Sequence, residues 1–509
     1  MPSLFQSVLG FVPSFIARGI AGDYALISPP TAQPFAASIM FVDIVGFTPL
    51  SERLALRGPL GAEELSALIK VTFSPIIDLV EEHGGDVIRF AGDAVIAMWP
   101  ARRPAGLDET TLRAAQCALA IQAALHPEQP SETHPALRIV ISAGDALAMA
   151  IGGRSSHWQW IVAGRPLSQI SAVQPAAQPG AVTLPGETWS LVAASCAGAD
   201  AGAGAVRLLR VDQPIAPRPT VRPELTPSGQ ATLLNFVPTP ILDRLIAAET
   251  MWLAELRRAS VLFLFLPDLN YTDPDALGRV QQVWTIVQAV LNRYGGYMLQ
   301  FIVDDKGTII LLAYGVPPYI HEDNARRAVQ TALEINEQLT RLALMSAIGV
   351  TTGQVFCGDS GNQRHWEYSV IGFVVNLAAR LMQAAGNEGG ILCDHATYLE
   401  SRTHIDFAAM PSIEVKGSSQ PVRVYRPLDG VPVLATPLTP LFGRAEERAW
   451  LAESLAAAAD GHGRIAILEG EAGIGKSRLL AQLAADAIPA GVLVILGAGD
   501  NLEQRTPFW

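Results

Sequence analysis

Two carboxylates at the ends of apolar runs are the residues best placed to do chemistry in this sequence. The first lies in Ser38–Leu50, SIMFVDIVGFTPL, where five residues including the β-branched Ile39 and Val42 lead to Asp43. Gly46, Phe47 and Thr48 follow, and then a Ser-Glu-Arg-Leu run that opens a helix. A strand that ends on a carboxylate and turns into a helix offers a hard oxygen ligand for a divalent cation. It also offers the backbone N–H groups of a helix N-terminus, where a polyphosphate is stabilised. Taken alone, Asp43 reads equally well as a cap for the following turn. The second carboxylate lies in Gly84–Pro100, GGDVIRFAGDAVIAMWP. Two apolar runs, Val87–Ala91 and Ala94–Trp99, flank Gly92-Asp93, a Gly-X pair that suits a tight hairpin. If the hairpin strands lie beside the Asp43 strand, two carboxylates meet at one sheet edge. That is the minimum for a two-metal site acting on a nucleoside triphosphate.

The elements that must hold these groups follow from periodicity. Ala62–His83 places Leu65, Leu68, Ile69, Ile76 and Val80 on one helical face, with Pro75 predicting a kink. A second helix is expected near Glu109–Leu125, and a strand-turn-strand over Leu137–Ile151. The order β-α-ββ-α-β is that of a ferredoxin-like core. Gln213–Gly229 is proline-rich and reads as a linker. Beyond it the pattern repeats. Ser260–Leu266 matches the first strand, Val280–Tyr294 the helix, GGYMLQF at Gly295–Phe301 matches GGDVIRF, and Ser346–Gly361 matches the segment from Ala136.

The two repeats differ where chemistry would occur. Phe265 stands in the place of Asp43, and the second hairpin, Phe301–Thr308, is longer and carries Lys306 near its tip. In EYSVIGFVVNLAARLM (Glu367–Met382) a strand runs from Ser369 into Gly372, then a helix carries Asn376 and Arg380 four residues apart on one face. Counting from Gly164, the first repeat has Ser168 and Ala172 at those places. Metal ligands therefore survive only in the first repeat and the Asn/Arg pair only in the second. Pseudo-twofold pairing would unite them at one composite site.

FVDIVGFT followed by GGDVIRFAGDAVIAMW resembles the metal-binding half of a class III nucleotidyl cyclase, in particular the soluble adenylyl cyclase type. The resemblance implies an α+β fold of two ferredoxin-like cyclase domains paired head to tail. It implies conversion of ATP to 3′,5′-cyclic AMP and pyrophosphate. Two Mg²⁺ (or Mn²⁺) would be held by Asp43, Asp93 and the Ile44 carbonyl, with Gly46, Phe47 and Thr48 at the phosphates. Arg380 would meet charge on the transferred phosphoryl, in a fork geometry that Lys does not copy. Asn376 would orient the ribose, and Lys306, Ser369 and the Val370 backbone would read adenine. Arg138 and Lys416 match positions that hold the β/γ-phosphates. Each of these residues alone also has an ordinary surface or turn reading. In the soluble type, the leftover pseudo-symmetric pocket receives bicarbonate between a lysine and an arginine. Here those places hold Arg89 and Ser171, so one cation remains and a weak bicarbonate response is expected. Arg89 reads equally as the partner of a local carboxylate.

A third signal lies near the end. RIAILEGEAGIGKSRLLAQL contains Gly470, Gly473, Gly475, Lys476 and Ser477 in a GxxxxGK[ST] motif. Its amides would cradle phosphates, with Lys476 on the β/γ oxygens and Ser477 on Mg²⁺, so ATP-Mg is expected there. Arg464–Leu468 is expected as the preceding strand and Val492–Gly497 as the next, with the nucleotide domain incomplete at Trp509. The expected organisation is an N-terminal segment (1–35) without evident chemistry, a first cyclase domain (36–211), a linker (212–232), a second cyclase domain (233–428), a linker (429–440) and a P-loop NTPase region (441–509).

Composition narrows the function classes. The 509 residues carry a net charge of −12 and no Lys/Arg block, which argues against nucleic acid or an anionic membrane as partner. Cys117, Cys196, Cys357 and Cys393 lack metal-ligand spacing and read as reduced thiols of a cytoplasmic protein. No run approaches a membrane span. One chain supplies both repeats, so a monomer suffices. The rival reading from another class is a nucleotide-switch scaffold, in which the P-loop region is the output and the cyclase-like pair only binds a ligand.

Overall fold

The computed structural model describes residues 4–23, 29–55, 57–101, 106–125, 135–153, 157–246, 255–303, 307–386, 389–414, 421–428, 443–469, 476–487 and 492. The chain forms two compact units, Met1–Asp429 and Gly430–Trp509.

The first unit begins with two short helices, α1 (Leu4–Phe11) and α2 (Ser14–Arg18), separated at Pro13. The first repeat then runs β1 (Thr31–Ile44), α3 (Phe47–Ala55), α4 (Pro59–Glu82), β2 (Asp86–Ala91), β3 (Ala94–Ala101), α5 (Leu107–Leu125), β4 (Leu137–Gly152), β5 (Trp158–Gly164) and α6 (Arg165–Val173). It closes with β6 (Val182–Pro185), α7 (Gly186–Val192), β7 (Cys196–Gly202) and β8 (Ala205–Val211). The sheet order is β2-β3-β1-β4-β6-β8-β7, with β5 on β4. Its β2-β3-β1-β4 part is the expected ferredoxin-like arrangement. Helices α8 (Pro227–Leu234) and α9 (Thr239–Ile246) lead to the second repeat.

That repeat runs β9 (Glu255–Leu266), α10 (Ala276–Tyr294), β10 (Tyr297–Val303), β11 (Thr308–Tyr314), α11 (Asn324–Arg341), β12 (Ala347–Gly361), β13 (Trp366–Ile371) and α12 (Phe373–Ala385). It ends with β14 (Gly390–Asp394), α13 (His395–Ser401), β15 (Phe407–Ile413) and β16 (Val422–Pro427). The order β10-β11-β9-β12-β14-β16-β15, with β13 on β12, reproduces the first sheet.

Period-2 alternation explains why the central strands read as continuous apolar runs. On β1, Met40, Val42 and Ile44 pack with α4 and α5 residues such as Phe73, Ile76 and Ala115. Ala37 and Ile39 turn the other way, into a core shared with Val261, Val355 and Val370 of the second repeat. On β9, Leu262, Leu264 and Leu266 pack under α10 and α11, while Ala259 and Val261 enter the shared core. The halves are thus joined by a buried apolar seam. Val8, Val12, Phe15 and Ile16 of α1–α2 enter the same core.

The structure corrects two local expectations. β4 is one strand rather than strand-turn-strand, because β1 starts at Thr31 and pairs without break from Thr31↔Ala150 to Ile44↔Leu137. Gly144-Asp145 lies inside that ladder. Helix α4 contains Pro75 within its span. In the second unit, the described residues are α14 (Ala445–Ala459), an irregular stretch, and α15 (Lys476–Ala487). Arg464–Leu468 is not a strand, and Ile465 and Ile467 are exposed. A strand exists only as a member of a ladder, and among the described residues nothing pairs with it. The proposed strand at Val492–Gly497 lies outside the described residues except for Val492.

Candidate active site

Asp43 stands at the end of β1, opposite Ala94 of β3 and Arg138 of β4. Gly92 adopts φ +65°, the left-handed conformation that the tight turn requires, and so places Asp93 directly before Ala94. The Ile44 amide donates to the Asp93 carbonyl at 3.3 Å, which ties the hairpin tip to the Asp43 corner. Asp43 is 8% exposed. Its Oδ2 accepts from Arg138 Nη2 at 2.5 Å. Burial raises the Asp43 pKa, and Arg138 offsets part of that rise. Asp93 is pushed up to about 7, first by burial and then by the Asp43 charge.

A buried carboxylate, Asp43, whose charge raises the proton affinity of the half-buried Asp93 beside it makes a site that a divalent cation would relieve. Among the described residues no group of three or more His, Cys, Asp or Glu side chains converges. A cation here would complete its shell with the Ile44 carbonyl, water and phosphate oxygens, the mixed shell that Mg²⁺ favours. The donor set fits Mg²⁺ or Mn²⁺.

Next to the pair, Gly46 (φ +77°) turns the chain into α3, whose first residue, Phe47, is buried. The Leu50 amide bonds the Gly46 carbonyl at 3.3 Å, leaving the preceding amides at the start of the helix. The Thr48 side chain is outside the described set.

The second repeat supplies the facing corner. Ser369 and Val370 are buried on β13, opposite Gly358 and Cys357 of β12. Gly372 (φ +150°) turns β13 into α12. Thr351 of β12, fully buried, donates its hydroxyl to the Val374 carbonyl at 2.8 Å and pins the first turn of α12. Asn376 is half-buried on that helix, and Arg380 is exposed with Nη1 on Gln383 Oε1 at 2.9 Å. Helix α12 packs against α3. Phe356 and Ile371 join the core that contains Ile44 and Phe47. The Asp43/Asp93 corner and the Asn376/Arg380 helix, far apart in sequence, therefore adjoin.

Lys306, Lys416, Gly470, Gly473 and Gly475 lie outside the described residues, and so does the Ser477 side chain. Lys476 begins α15, the place at a helix N-terminus that the motif requires. Sequence reasoning missed three partners: the Asp43–Arg138 ion pair, the Thr351 pin and the Gln383 contact. Each depends on strand register or helix geometry, and only the i,i+3 spacing of Arg380 and Gln383 left a local signal.

On the pseudo-symmetric side, Phe265 pairs with Ile309 and Ala347, in the register that Asp43 keeps with Ala94 and Arg138. Arg89 on β2 donates from Nη1 to the Phe301 carbonyl at 3.2 Å and lines a small cavity with Leu167 of α6. Burial lowers its pKa and the Glu367 charge raises it. The nearby carboxylate thus comes from the other repeat.

No single helix among the described residues is long and apolar enough to cross a membrane. The four cysteines are free and buried. Comparison with known proteins agrees with this architecture. The Adenylate and Guanylate cyclase catalytic domain family matches residues 31–203 and 297–426, and the AAA ATPase domain family matches 440–509. Adenylate cyclase type 10 of Oryctolagus cuniculus is 27% identical over 509 residues, covering 90% of this chain and 31% of the relative. The Homo sapiens protein of the same name is 28% identical over 441 residues, covering 79% and 27%. The chain thus spans less than a third of the length of these curated relatives. A class III adenylyl cyclase-like ATP-binding protein from Pseudomonas aeruginosa shares the fold at 13% identity, with a TM-score of 0.52 over 76% of this chain and 92% of that one. With the cyclase match covering more than half of its residues, the chain belongs to the adenylate and guanylate cyclase catalytic domain family.

Proposed function

We propose that this protein is an adenylyl cyclase with one composite site per chain, which converts ATP to 3′,5′-cyclic AMP and pyrophosphate. The observation that carries the reading is the Asp43/Asp93 corner packed beside the helix bearing Asn376 and Arg380. The name borne by the mammalian relatives supports it. In the reaction, the ribose 3′-oxygen bonds to the α-phosphorus as the bond to the β-phosphate oxygen breaks, and the hydroxyl proton leaves to solvent. Mg²⁺ or Mn²⁺ held by Asp43, Asp93 and the Ile44 carbonyl would supply the Lewis acidity that acidifies the hydroxyl and clamps the triphosphate.

The chain's own residues do the rest. Gly46, Phe47 and Thr48 present the α3 N-terminus to phosphate oxygens. Arg138 exchanges Asp43 for the β/γ-phosphates when nucleotide enters. Arg380 leaves Gln383 to meet charge on the α-phosphoryl. Asn376 orients the ribose, while Lys306, Ser369 and the Val370 backbone select adenine, with Lys416 as a further phosphate contact. At the P-loop, Lys476 and Ser477 would bind ATP-Mg. Both repeats come from one cytoplasmic chain, so a monomer is sufficient.

The test is product formation from ATP or GTP with Mg²⁺ or Mn²⁺. Cyclic AMP should form with a clear kcat/KM preference for ATP. Absence of cyclic product from either nucleotide would leave the second reading, a cyclase-like pair that binds ATP without turning it over. The Asp43–Arg138 ion pair and the name of the Pseudomonas neighbour, an ATP-binding protein, favour that alternative.

Bicarbonate is the proposed regulator, acting at Arg89. With Ser171 in place of a second cation, one charge-assisted contact is lost, which costs about 1.5–3 kcal/mol or roughly ten- to a hundredfold in affinity. Stimulation should be weak and should vanish in Arg89→Ala, titrated against chloride at fixed pH. Strong stimulation that survives the substitution would place the anion elsewhere.

A further inference from the structure

A second cavity lies at the seam between the two repeats, beneath the α1–α2 junction, with a volume of about 80 Å³. Phe11, Val12 and Ile16 wall one part of it, and residues of β2, β5, β10 and β13, His157 before β5, and Phe236 and Pro238 between α8 and α9 wall the rest. It shares Ile88, Arg89 and Trp160 with the smaller cavity beside α6, but neither Leu167 nor any other α6 residue lines it.

Some of its polar groups are incompletely satisfied. Trp160 is 5% exposed, and its buried Nε1 has no hydrogen-bond partner. An indole N–H can only donate, so an occupant must bring an acceptor. The buried His157 Nδ1 is also without a partner. Arg89 spends one N–H on the Phe301 carbonyl and keeps others. Glu367, from the opposite repeat, accepts from the Phe90 amide at 3.4 Å and lies 3.7 Å from His365 Nε2. Among the described residues no ion pair joins Arg89 to Glu367, although the Glu367 charge acts on Arg89. Tyr297 and Tyr368 meet edge to face at 6.2 Å in the same wall.

One cation, one anion, a donor without an acceptor and aromatic faces, all lining one cavity together with Gln159 and His157, select an occupant with both charges and no net charge. A simple carboxylate would leave Glu367 facing it, and a simple amine would leave Arg89 uncompensated; an unmatched buried charge is costly. We propose that this cavity is a binding site for a small zwitterion of the α-amino-acid class. The carboxylate is taken by Arg89 and Trp160 Nε1, and the ammonium by Glu367 and the tyrosine faces. At about 10–15 Å³ for each water-sized occupant, the volume holds on the order of five to eight non-hydrogen atoms. Glycine, alanine and serine fit that limit; an aromatic amino acid does not. Such a ligand would touch both repeats and the N-terminal helices at once, and so would bias how the seam closes.

The site is tested by titrating the full chain with glycine, L-alanine and L-serine by calorimetry and by intrinsic fluorescence, since Trp158 and Trp160 line the cavity. Acetate, methylammonium and L-tryptophan are the controls. The expected result is saturable binding of at least one small zwitterion, with acetate and methylammonium at least tenfold weaker and L-tryptophan silent. Trp160→Phe, which keeps a ring and removes the donor, should weaken binding by roughly tenfold. Glu367→Gln should erase the preference over acetate. The proposal is overturned if no small zwitterion binds saturably, if acetate binds as tightly, or if both folded variants bind like the wild type. The wild-type panel decides alone if either variant fails to melt cooperatively. Binding is read without turnover, so a failed cyclase assay leaves this test intact.

Discussion

At the end of β1 stands Asp43, flanked in register by Ala94 and Arg138; at the same place in β9 stands Phe265, flanked by Ile309 and Ala347. The residue before each hairpin partner differs in kind. Asp93 is a carboxylate pushed up to about 7, whereas Thr308 is fully buried with its hydroxyl bonded to Tyr271. After β1 the chain enters α3, but after β9 it passes through turns to α10. The bias reverses at the other corner, where α6 carries Ser168 and Ala172 and α12 carries Asn376 and Arg380.

What the second repeat gains in place of a carboxylate is packing. Phe263, Phe265 and Phe373 lie against a cluster that contains Leu377, Leu381 and Met382 of α12. The residue that stands in the place of Asp43 therefore supports the helix that carries Arg380. One repeat concentrates buried charge and the other builds the apolar platform, and a paired scaffold accommodates both.

The largest effect should come from removing one group on each side. Asp43→Ala and Arg380→Ala should each lower cyclisation by 10²–10³-fold or more, the loss typical of a group that stabilises developing charge. Steady-state rates with ATP and Mn²⁺ check this. Near-wild-type turnover in either variant would break the division of labour.

The charge side can be examined without turnover. Asp93→Asn removes the repulsion on Asp43, so the metal-free protein should melt higher than the wild type. It should also lose the stabilisation by Mn²⁺, which in the wild type should reach about 2.7 kcal/mol at a hundredfold excess over Kd. Melting with chelator and with Mn²⁺ reads both. A variant that keeps the full Mn²⁺ response would remove Asp93 from the cation site.

The packing side gives a smaller effect. Phe265→Asp restores the ligand type of the first repeat but places a charge against the apolar cluster on α12. It should cost about 1–3 kcal/mol of stability, seen in denaturant melts, and create no additional Mn²⁺ site. A gain of a second cation per cyclase pair would mean that the halves differ only at that residue.

The parts of this scheme that could be read from sequence are the local ones. An apolar run closing on Asp43, the Gly92-Asp93 hairpin and the Gly372 turn into a helix are each set within a few residues, and the structure has them in place. The ferredoxin-like order and the repeat followed from the same local patterns. What escaped depends on distant chain. Arg138 meets Asp43 only through the β1–β4 register, across 95 positions. Leu137–Ile151 read as strand-turn-strand because the partner residues Thr31–Ala37 did not announce themselves as strand. The N-terminal segment carried no motif, yet Phe15 is buried with its amide on Asp86 Oδ2 at 2.5 Å. The proline-rich stretch after β8 is held by Arg222, which bonds Glu81 at 2.9 Å and the Leu9 and Arg364 carbonyls.

The central claim is that one site is assembled within one chain from the two unlike repeats. It is tested most directly by mixing purified Asp43→Ala and Arg380→Ala proteins and measuring cyclic AMP formation. Each chain keeps one intact corner. If the seam between repeats is intramolecular, as its buried core indicates, the mixture should be as inactive as either variant alone. Recovery of activity that rises with the concentration of the second variant would contradict the account, because the working corners would then come from different chains.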